Sequence, residues 1–152
     1  GSDKYDNIRI GLNARLDTIQ AAVLIEKLKI LADEIDARDR VAQRYSSLLE
    51  DIVPVPRLLQ NITSAWAQYT VLVPAEKRAR IVSALKEQGV PTMIYYPKPL
   101  HRQTAYRDFP VVGNGLPVSE RLADEVLSLP MHPYLDEATQ DRIVAAVLKS
   151  VG

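Results

Sequence analysis

The segment from Leu16 to Leu31 most constrains the fold, because it has more apolar positions than a helix lying on a protein surface needs. Its sequence, LDTIQAAVLIEKLKIL, carries two apolar stripes at helical spacing. The first stripe consists of Leu16, Ile19, Val23 and Ile30, and the second of Ala21, Leu24, Leu28, Leu31 and Ile35. Since one stripe suffices for a surface helix, two stripes predict burial on two sides. We expect this helix to pack on its own domain and on something else.

Composition excludes several classes of function. The chain has 152 residues, enough for one domain with a core, and its 19 basic residues balance 19 acidic ones. A general nucleic-acid binder would carry a basic excess, so no nucleic-acid partner is expected. The absence of cysteine excludes disulfides and thiolate metal sites, and two histidines are too few for a multi-histidine zinc site. No membrane span or signal peptide is visible, and we expect a cytoplasmic protein without a membrane partner.

The rest of the chain alternates helical and extended patterns. The predicted elements are a helix over 33–51, a strand over 65–73, a helix over 74–88 stopped by Gly89, a strand over 90–96, a helix capped by Ser119 and running to about 127, a short extended piece over 128–134 and a helix over 136–151. A long loop, 97–115, is rich in proline and glycine, and such loops often serve function. With about three strands available, the order predicts a small α+β domain.

The first candidate site is Asn13 with Arg15, directly before the apolar helix. A helix N-terminus has unpaired backbone N–H groups and partial positive charge, and it suits a phosphate or a carboxylate. The side chains of Asn13 and Arg15 would add further donors. The alternative is that Asn13 merely caps the helix while Arg15 is solvated.

The second candidate is YYPKPLH, where Tyr95, Tyr96, Lys98 and His101 cluster around prolines at a predicted strand end. Tyrosines can stack on or hydrogen-bond a sugar or a base, and histidine moves protons near neutral pH. The alternative is a rigid loop with one tyrosine in the core. In SLPMHPY, His132 lies between prolines and is predicted to brace a loop. The sequence has no G-x-S-x-G, P-loop or G-x-G-x-x-G motif, so no catalytic set is complete.

Three segments resemble motifs of the DegT/DnrJ/EryC1/StrS sugar aminotransferases. IGLNARLDTIQAAVL is similar to the family's Asn-x-Arg-(Met/Leu)-(Asp/Ser)-x-x-Gln-Ala-Ala segment. GVPTMIYYPKPLHRQTAY is similar to its Gly-(Ile/Val)-x-Thr-x-x-x-Tyr-Pro-x-Pro-Leu-His segment. LPVSERLADEVLSLPMHPYL is similar to its Ser-Leu-Pro-(Met/Ile)-(His/Tyr)-Pro segment. The three occur in the family's order and spacing and together span most of the chain.

The resemblance implies the small C-terminal domain of a fold-type I, aspartate aminotransferase-like, pyridoxal-phosphate (PLP) enzyme. The expected structure is long N-terminal helices followed by a small antiparallel sheet of about three strands. Residues 1–152 would form a single domain, with 12–52 as helices at the interdomain and dimer interface and 53–152 as a small α+β domain. The family's Schiff-base lysine lies upstream in a domain that this chain lacks, so no catalytic residue is expected here and the isolated chain should be inactive. In the isolated chain one apolar stripe of the helix that starts at Leu16 would be uncovered, and we expect the chain to self-associate through it.

The resemblance also assigns roles to the candidate residues. In the family, which forms homodimers, Asn13 would reach the PLP phosphate of the partner subunit. Arg15 would lie near the substrate, and Tyr95, Tyr96 and His101 would line the sugar-nucleotide site. Some members carry histidine where this chain has Tyr95, which leaves the role of that position open.

The reaction implied is transfer of an amino group, usually from glutamate, to a keto sugar nucleotide. The segments look most like members that aminate a UDP-3-keto-N-acetylglucosamine uronate for O-antigen or lipopolysaccharide assembly, with a 4-keto-6-deoxy sugar as the nearest competitor. Arg15 and Lys98 are compatible with an anionic sugar, although the diphosphate alone could account for their charge. An alternative is a non-catalytic binding or dimerisation module with the same fold. A hydrolase using His101 with Tyr96 lacks a nucleophile and an orienting carboxylate within the YYPKPLH motif.

Overall fold

The computed structural model describes residues 5–13 and 16–152. Within those ranges there are five α-helices, one short 3-10 helix and two strands, which confirms the α+β class. In chain order they are α1 (Thr18–Leu28), α2 (Leu31–Leu49), β1 (Tyr69–Leu72), α3 (Ala75–Glu87), the 3-10 helix (Leu100–Arg102), α4 (Pro117–Glu125), β2 (Val126–Leu129) and α5 (Glu137–Val151). None of the helices in the described part is long and apolar enough to cross a membrane.

The start of α1 is fixed by a capping box. The Asp17 carboxylate accepts a hydrogen bond from the Gln20 backbone N–H at 2.8 Å, and the Gln20 side chain accepts one from the Asp17 backbone N–H at 3.4 Å. This reciprocal pair satisfies two donors that a helix start leaves free. Asn13 is therefore not the cap, and the alternative that gave it this role is wrong.

The sheet is smaller than the sequence pattern indicates. β1 and β2 pair antiparallel, with Tyr69 opposite Leu129 and Leu72 opposite Val126. The third predicted strand, 90–96, contributes a single antiparallel bridge, from Met93 to Ser128. The reason is proline chemistry, because Pro91 has no N–H to donate to a ladder.

The two strands also begin and end differently from the prediction. β1 starts four residues late, because Trp66 has a positive φ of 45° and its N–H donates to the Ser64 hydroxyl rather than to a neighbouring strand. β2 begins two residues before the predicted 128–134 piece and ends at Leu129, directly before Pro130.

Two helix ends test the predicted stop and start signals. Gly89 follows α3 with a φ of +72°, the left-handed backbone expected of a glycine at a helix end. Ser119, by contrast, is not a cap, and that prediction is wrong. α4 begins at Pro117, whose missing N–H costs nothing in the first turn of a helix.

The core lies between the sheet and helices α2, α3 and α5. Its fully buried side chains are Tyr45, Leu49, Tyr69, Val71, Ile81, Leu85, Val90, Leu127 and Val147, with Gln140 among them. The Tyr45 and Tyr69 rings lie 5.0 Å apart, and both hydroxyls are paired, with the Pro130 carbonyl at 3.1 Å and the Ser46 hydroxyl at 2.9 Å. Burial raises the pKa of both phenols, so these rings act as structural residues.

Helix α1 projects from this core. No residue of α1 is buried, and Ile19 is 80% exposed and Val23 59% exposed. The expectation that one stripe packs on the same domain is therefore wrong. α2 closes the core with its own apolar face. α1 contacts α2 near the turn that joins them, where Lys27 pairs with the buried carboxylate of Glu34 at 2.8 Å.

Candidate functional site

A cavity of about 890 Å³ lies between the loop that follows Met93 and helix α4. It brings together the side chains predicted from the YYPKPLH motif, since Tyr95, Tyr96, Lys98 and His101 all line it. The other lining residues are mostly apolar: Leu100, Tyr106, Phe109, Pro110, Val111, Leu116, Leu122, Ala123 and Val126, with Asn7, Pro99, Gln103 and Ser119. An apolar cavity with a few polar groups is the usual form of a small-molecule site.

The two tyrosines form an aromatic corner of the cavity. The rings of Tyr95 and Tyr96 are 5.6 Å apart and inclined by 67°, and Tyr5 makes a similar edge contact with Tyr96 at 6.4 Å. Tyr95 is half-buried and Tyr96 is 61% exposed. Neither belongs to the core, so the alternative that placed one tyrosine there is wrong and both rings can meet a ligand.

His101 is held by a carboxylate from helix α4. Its Nε2 lies 2.9 Å from Oε1 of Glu120, and only 13% of the His101 side chain is exposed. Arg102 donates to the same oxygen from Nε at 3.1 Å and from Nη2 at 2.8 Å. These bonds, first from His101 and then from Arg102, hold the pKa of Glu120 below its ordinary value. Sequence reasoning missed Glu120, since no spacing rule links it to a residue 19 positions earlier.

Lys98 is paired with Asp6, from the segment that precedes α1. The Lys98 Nζ lies 2.9 Å from Oδ1 of Asp6. Asp6 also accepts hydrogen bonds from the Thr104 backbone N–H at 3.0 Å and from the Thr104 hydroxyl at 2.8 Å. With Lys98 as the largest cause, these contacts lower the pKa of Asp6 to about 2. The charge of Lys98 is thus already compensated, which weakens its assignment to an anionic sugar.

Residues 5–7, called the strap below, form hydrogen bonds and an ion pair with residues 98–105, the part of the loop after Met93 called the cavity loop below. Besides Asp6, the strap contributes Asn7, whose carbonyl accepts a hydrogen bond from the Ala105 N–H at 2.8 Å and whose amide donates to the Gln103 side chain. The strap therefore connects the cavity loop to the chain that leads to Asn13 and α1. Its contacts span more than 90 positions of sequence, and sequence reasoning missed them.

The structure does not bring Asn13 to this cavity. Asn13 is exposed ahead of α1 and is not among the lining residues. Arg15 lies outside the described residues. His132 is exposed, and its Nδ1 accepts a hydrogen bond from the Tyr134 N–H at 3.2 Å, as expected of a residue that braces a loop. The described residues contain no cluster of three or more His, Asp or Glu side chains suited to a metal ion.

Comparisons with known proteins agree with one another. The model of the DegT/DnrJ/EryC1/StrS aminotransferase family matches residues 1–148. The chain is 44% identical over 149 residues to a UDP-2-acetamido-2-deoxy-3-oxo-D-glucuronate aminotransferase of Pseudomonas aeruginosa, a match covering 97% of this chain and 40% of that enzyme.

Solved structures give the same result. A DegT DnrJ EryC1 StrS aminotransferase from Brucella abortus is 54% identical and superposes with a TM-score of 0.85 over 100% of this chain and 40% of its own. NtdA from Bacillus subtilis, solved with bound cofactor PMP, is 29% identical with a TM-score of 0.77, over 95% of this chain and 34% of its own. The chain thus spans about 40% of the length of the relative from Pseudomonas. Motifs, fold and family model coincide, and the chain belongs to the DegT/DnrJ/EryC1/StrS aminotransferase family.

Proposed function

We propose that this chain is the C-terminal part of a PLP-dependent aminotransferase that moves an amino group from glutamate to a keto sugar nucleotide. The observation that carries the proposal is the 44% identity, over nearly the whole chain, to an enzyme acting on UDP-2-acetamido-2-deoxy-3-oxo-D-glucuronate. We take that 3-keto uronate as the substrate, with a role in cell-surface polysaccharide or lipopolysaccharide assembly in the cytoplasm.

In this proposal the described cavity holds the sugar nucleotide. The faces of Tyr95 and Tyr96 offer stacking surface and phenolic hydroxyls to a base or a sugar ring. His101 supplies a ring nitrogen beside them. The cavity volume of about 890 Å³ falls within the usual range of small-molecule sites.

Asn13 and Arg15 are assigned to the cofactor phosphate of the partner subunit and to the substrate, respectively. No described residue hydrogen-bonds to the Asn13 side chain, which is exposed. An amide without a partner near a helix start can donate to a phosphate that approaches from another subunit. This assignment requires a homodimer, which is part of the proposal.

PLP, when bound, supplies the electron sink that lets an amino group pass between two carbon skeletons. The lysine that holds it belongs, in our proposal, to the domain outside this chain. Among the described lysines only Lys98 lines the cavity, and it is paired with Asp6 at 2.9 Å. The described residues thus fit a role in phosphate and substrate binding, and we expect the isolated chain to be inactive.

The domain organisation follows from the same proposal. Residues 1–152 form one domain, in which 53–152 is the small α+β unit and 12–52 packs between domains and subunits. The exposed apolar faces of α1 support the interface role of residues 12–52, since such faces mark interaction surfaces.

The test uses the complete protein that contains this chain. Purified with PLP, it is mixed with glutamate and UDP-2-acetamido-2-deoxy-3-oxo-D-glucuronate, and formation of 2-oxoglutarate and of the amino sugar is followed. We expect both products in equal amounts, and none from the 152-residue chain alone. Conversion of a 4-keto-6-deoxy sugar nucleotide instead would overturn the substrate assignment. No transfer to either sugar, together with no change in the cofactor spectrum on adding glutamate, would favour the non-catalytic module.

A further inference from the structure

The His101–Glu120 contact differs from an ordinary surface ion pair. Exposed pairs contribute little, because water and side-chain entropy offset the attraction. Here the His101 side chain is only 13% exposed and borders the cavity. Its Nε2 meets Glu120 at 2.9 Å, which leaves Nδ1 as the only ring nitrogen for a further partner. Among residues 5–13 and 16–152, none hydrogen-bonds to that Nδ1.

The carboxylate of Glu120 is itself firmly placed. It lies in the first turn of α4, where the partial positive charge of a helix start favours an anion. Arg102 adds two hydrogen bonds to Oε1, the same oxygen that meets His101. A charged carboxylate held in this way is a hydrogen-bond acceptor only. The His101 nitrogen that faces it must therefore carry the proton.

A histidine whose Nε2 carries the proton presents Nδ1 as an acceptor in the neutral ring. We propose that Glu120 is a positioning residue, which fixes the His101 ring and its tautomer so that Nδ1 accepts a hydrogen bond from a hydroxyl or amide N–H of the sugar nucleotide. The inference rests on the proposed function, because it takes the cavity to be the sugar-nucleotide site. It adds a residue from outside the YYPKPLH motif and states which atom of His101 meets the ligand.

The experiment compares Glu120→Gln with a control on the same helix, Glu125→Gln, in the complete protein. Glu125 pairs with Arg121 four positions away and does not line the cavity. We expect Glu120→Gln to raise KM for UDP-2-acetamido-2-deoxy-3-oxo-D-glucuronate roughly tenfold, the scale of one charge-assisted hydrogen bond. Glu125→Gln should stay within about twofold, since neither Glu125 nor its partner Arg121 lines the cavity.

A double-mutant cycle separates positioning from general stability. If Glu120 acts through His101, Glu120→Gln should add nothing to KM once His101→Asn is present. In ¹⁵N NMR of histidine-labelled protein, the signals that are lost in His101→Asn belong to His101. In the wild type, those signals should show that Nε2 carries the proton. Glu120→Gln should move those signals, and Glu125→Gln should not.

The outcomes distinguish this inference from the proposed function. If the wild type transfers the amino group but Glu120→Gln behaves as Glu125→Gln does, the positioning role is wrong while the function stands. Additive effects of Glu120→Gln and His101→Asn would overturn it too. If the wild type shows no transfer, the proposed function fails, and the NMR comparison still decides whether Glu120 sets the tautomer of His101.

Discussion

At the scale of single residues, Asp6 gives a sharp pH prediction. Its pKa is lowered to about 2, first by Lys98 and then by Thr104. The pKa of Asp6 in the folded chain lies below the ordinary value of 3.8. The contacts of its carboxylate with Lys98 and Thr104 therefore stabilise the folded state above about pH 4, and this stabilisation is lost as the pH falls toward 2. Carbon NMR of the Asp6 carboxyl, titrated in the 152-residue chain, should give a midpoint near pH 2.

Two variants test which contact lowers the pKa of Asp6 more. Lys98→Met should raise the Asp6 midpoint more than Thr104→Val does, because the lysine is the larger influence and the valine keeps the backbone N–H bond. Equal shifts, or a wild-type midpoint near 4, would mean that the strap is not fastened in this way.

The residue scale also shows what the sequence could and could not predict about the site. Tyr95, Tyr96 and His101 were predicted from one short motif, and the structure brings them to one cavity. Their partners were not predicted, because Asp6 and Glu120 come from segments remote from the motif. A local pattern identifies chemically capable side chains, whereas pairing across the fold depends on tertiary structure.

At the scale of elements, α1 is the feature with the clearest consequence. Its side chains Ile19 and Val23 lie one turn apart and are 80% and 59% exposed. Burial of about 400 Å² of such surface is worth about 10 kcal/mol before association costs. Association costs of at least about 4 kcal/mol leave at most about 6 kcal/mol, so we expect the 152-residue chain to self-associate with a Kd of roughly tens of micromolar or weaker, measured by sedimentation velocity.

Charged substitutions test whether α1 forms that contact. Ile19→Lys combined with Val23→Lys should weaken association at least about 100-fold, since two lysines would have to lose water in the interface. Ala79→Lys combined with Ser83→Lys places the same charges, at the same spacing, on the exposed side of α3 and should leave association unchanged. A wild-type chain that stays monomeric at high concentration would contradict the prediction.

Elements were predicted well where helical periodicity is strong and less well where strands are short. The helices lie within a few residues of their predicted bounds, since apolar spacing and end signals act locally. The segment over 90–96 is apolar and β-branched, yet it forms only the Met93–Ser128 bridge. Pro91 interrupts this segment and has no N–H to donate to a ladder, and the prediction gave the apolar and β-branched residues around it more weight than the proline.

At the scale of the whole molecule, the chain has a core of its own and, in our proposal, carries only part of the groups that the active site needs. The core aromatic pair Tyr45 and Tyr69 is fully buried, while the cavity and α1 stay open. In the proposed dimer, Asn13 of one subunit serves the cofactor site of the other. Each active site would then be composed of two copies of the chain, which is a property that mixing experiments can measure.

Two inactive variants of the complete protein should restore each other. One carries Asn13→Ala, and the other lacks the Schiff-base lysine of the domain outside this chain. In a mixed dimer, one site loses both groups and the other keeps both, because Asn13 and the lysine of a site come from different subunits. Equal mixing, after dissociation and reassembly, gives mixed dimers in half of the population, so activity should recover to about a quarter of wild type. If Asn13 serves its own subunit, every site in the mixed dimer lacks one group. Amino transfer would then stay at the level of the separate variants.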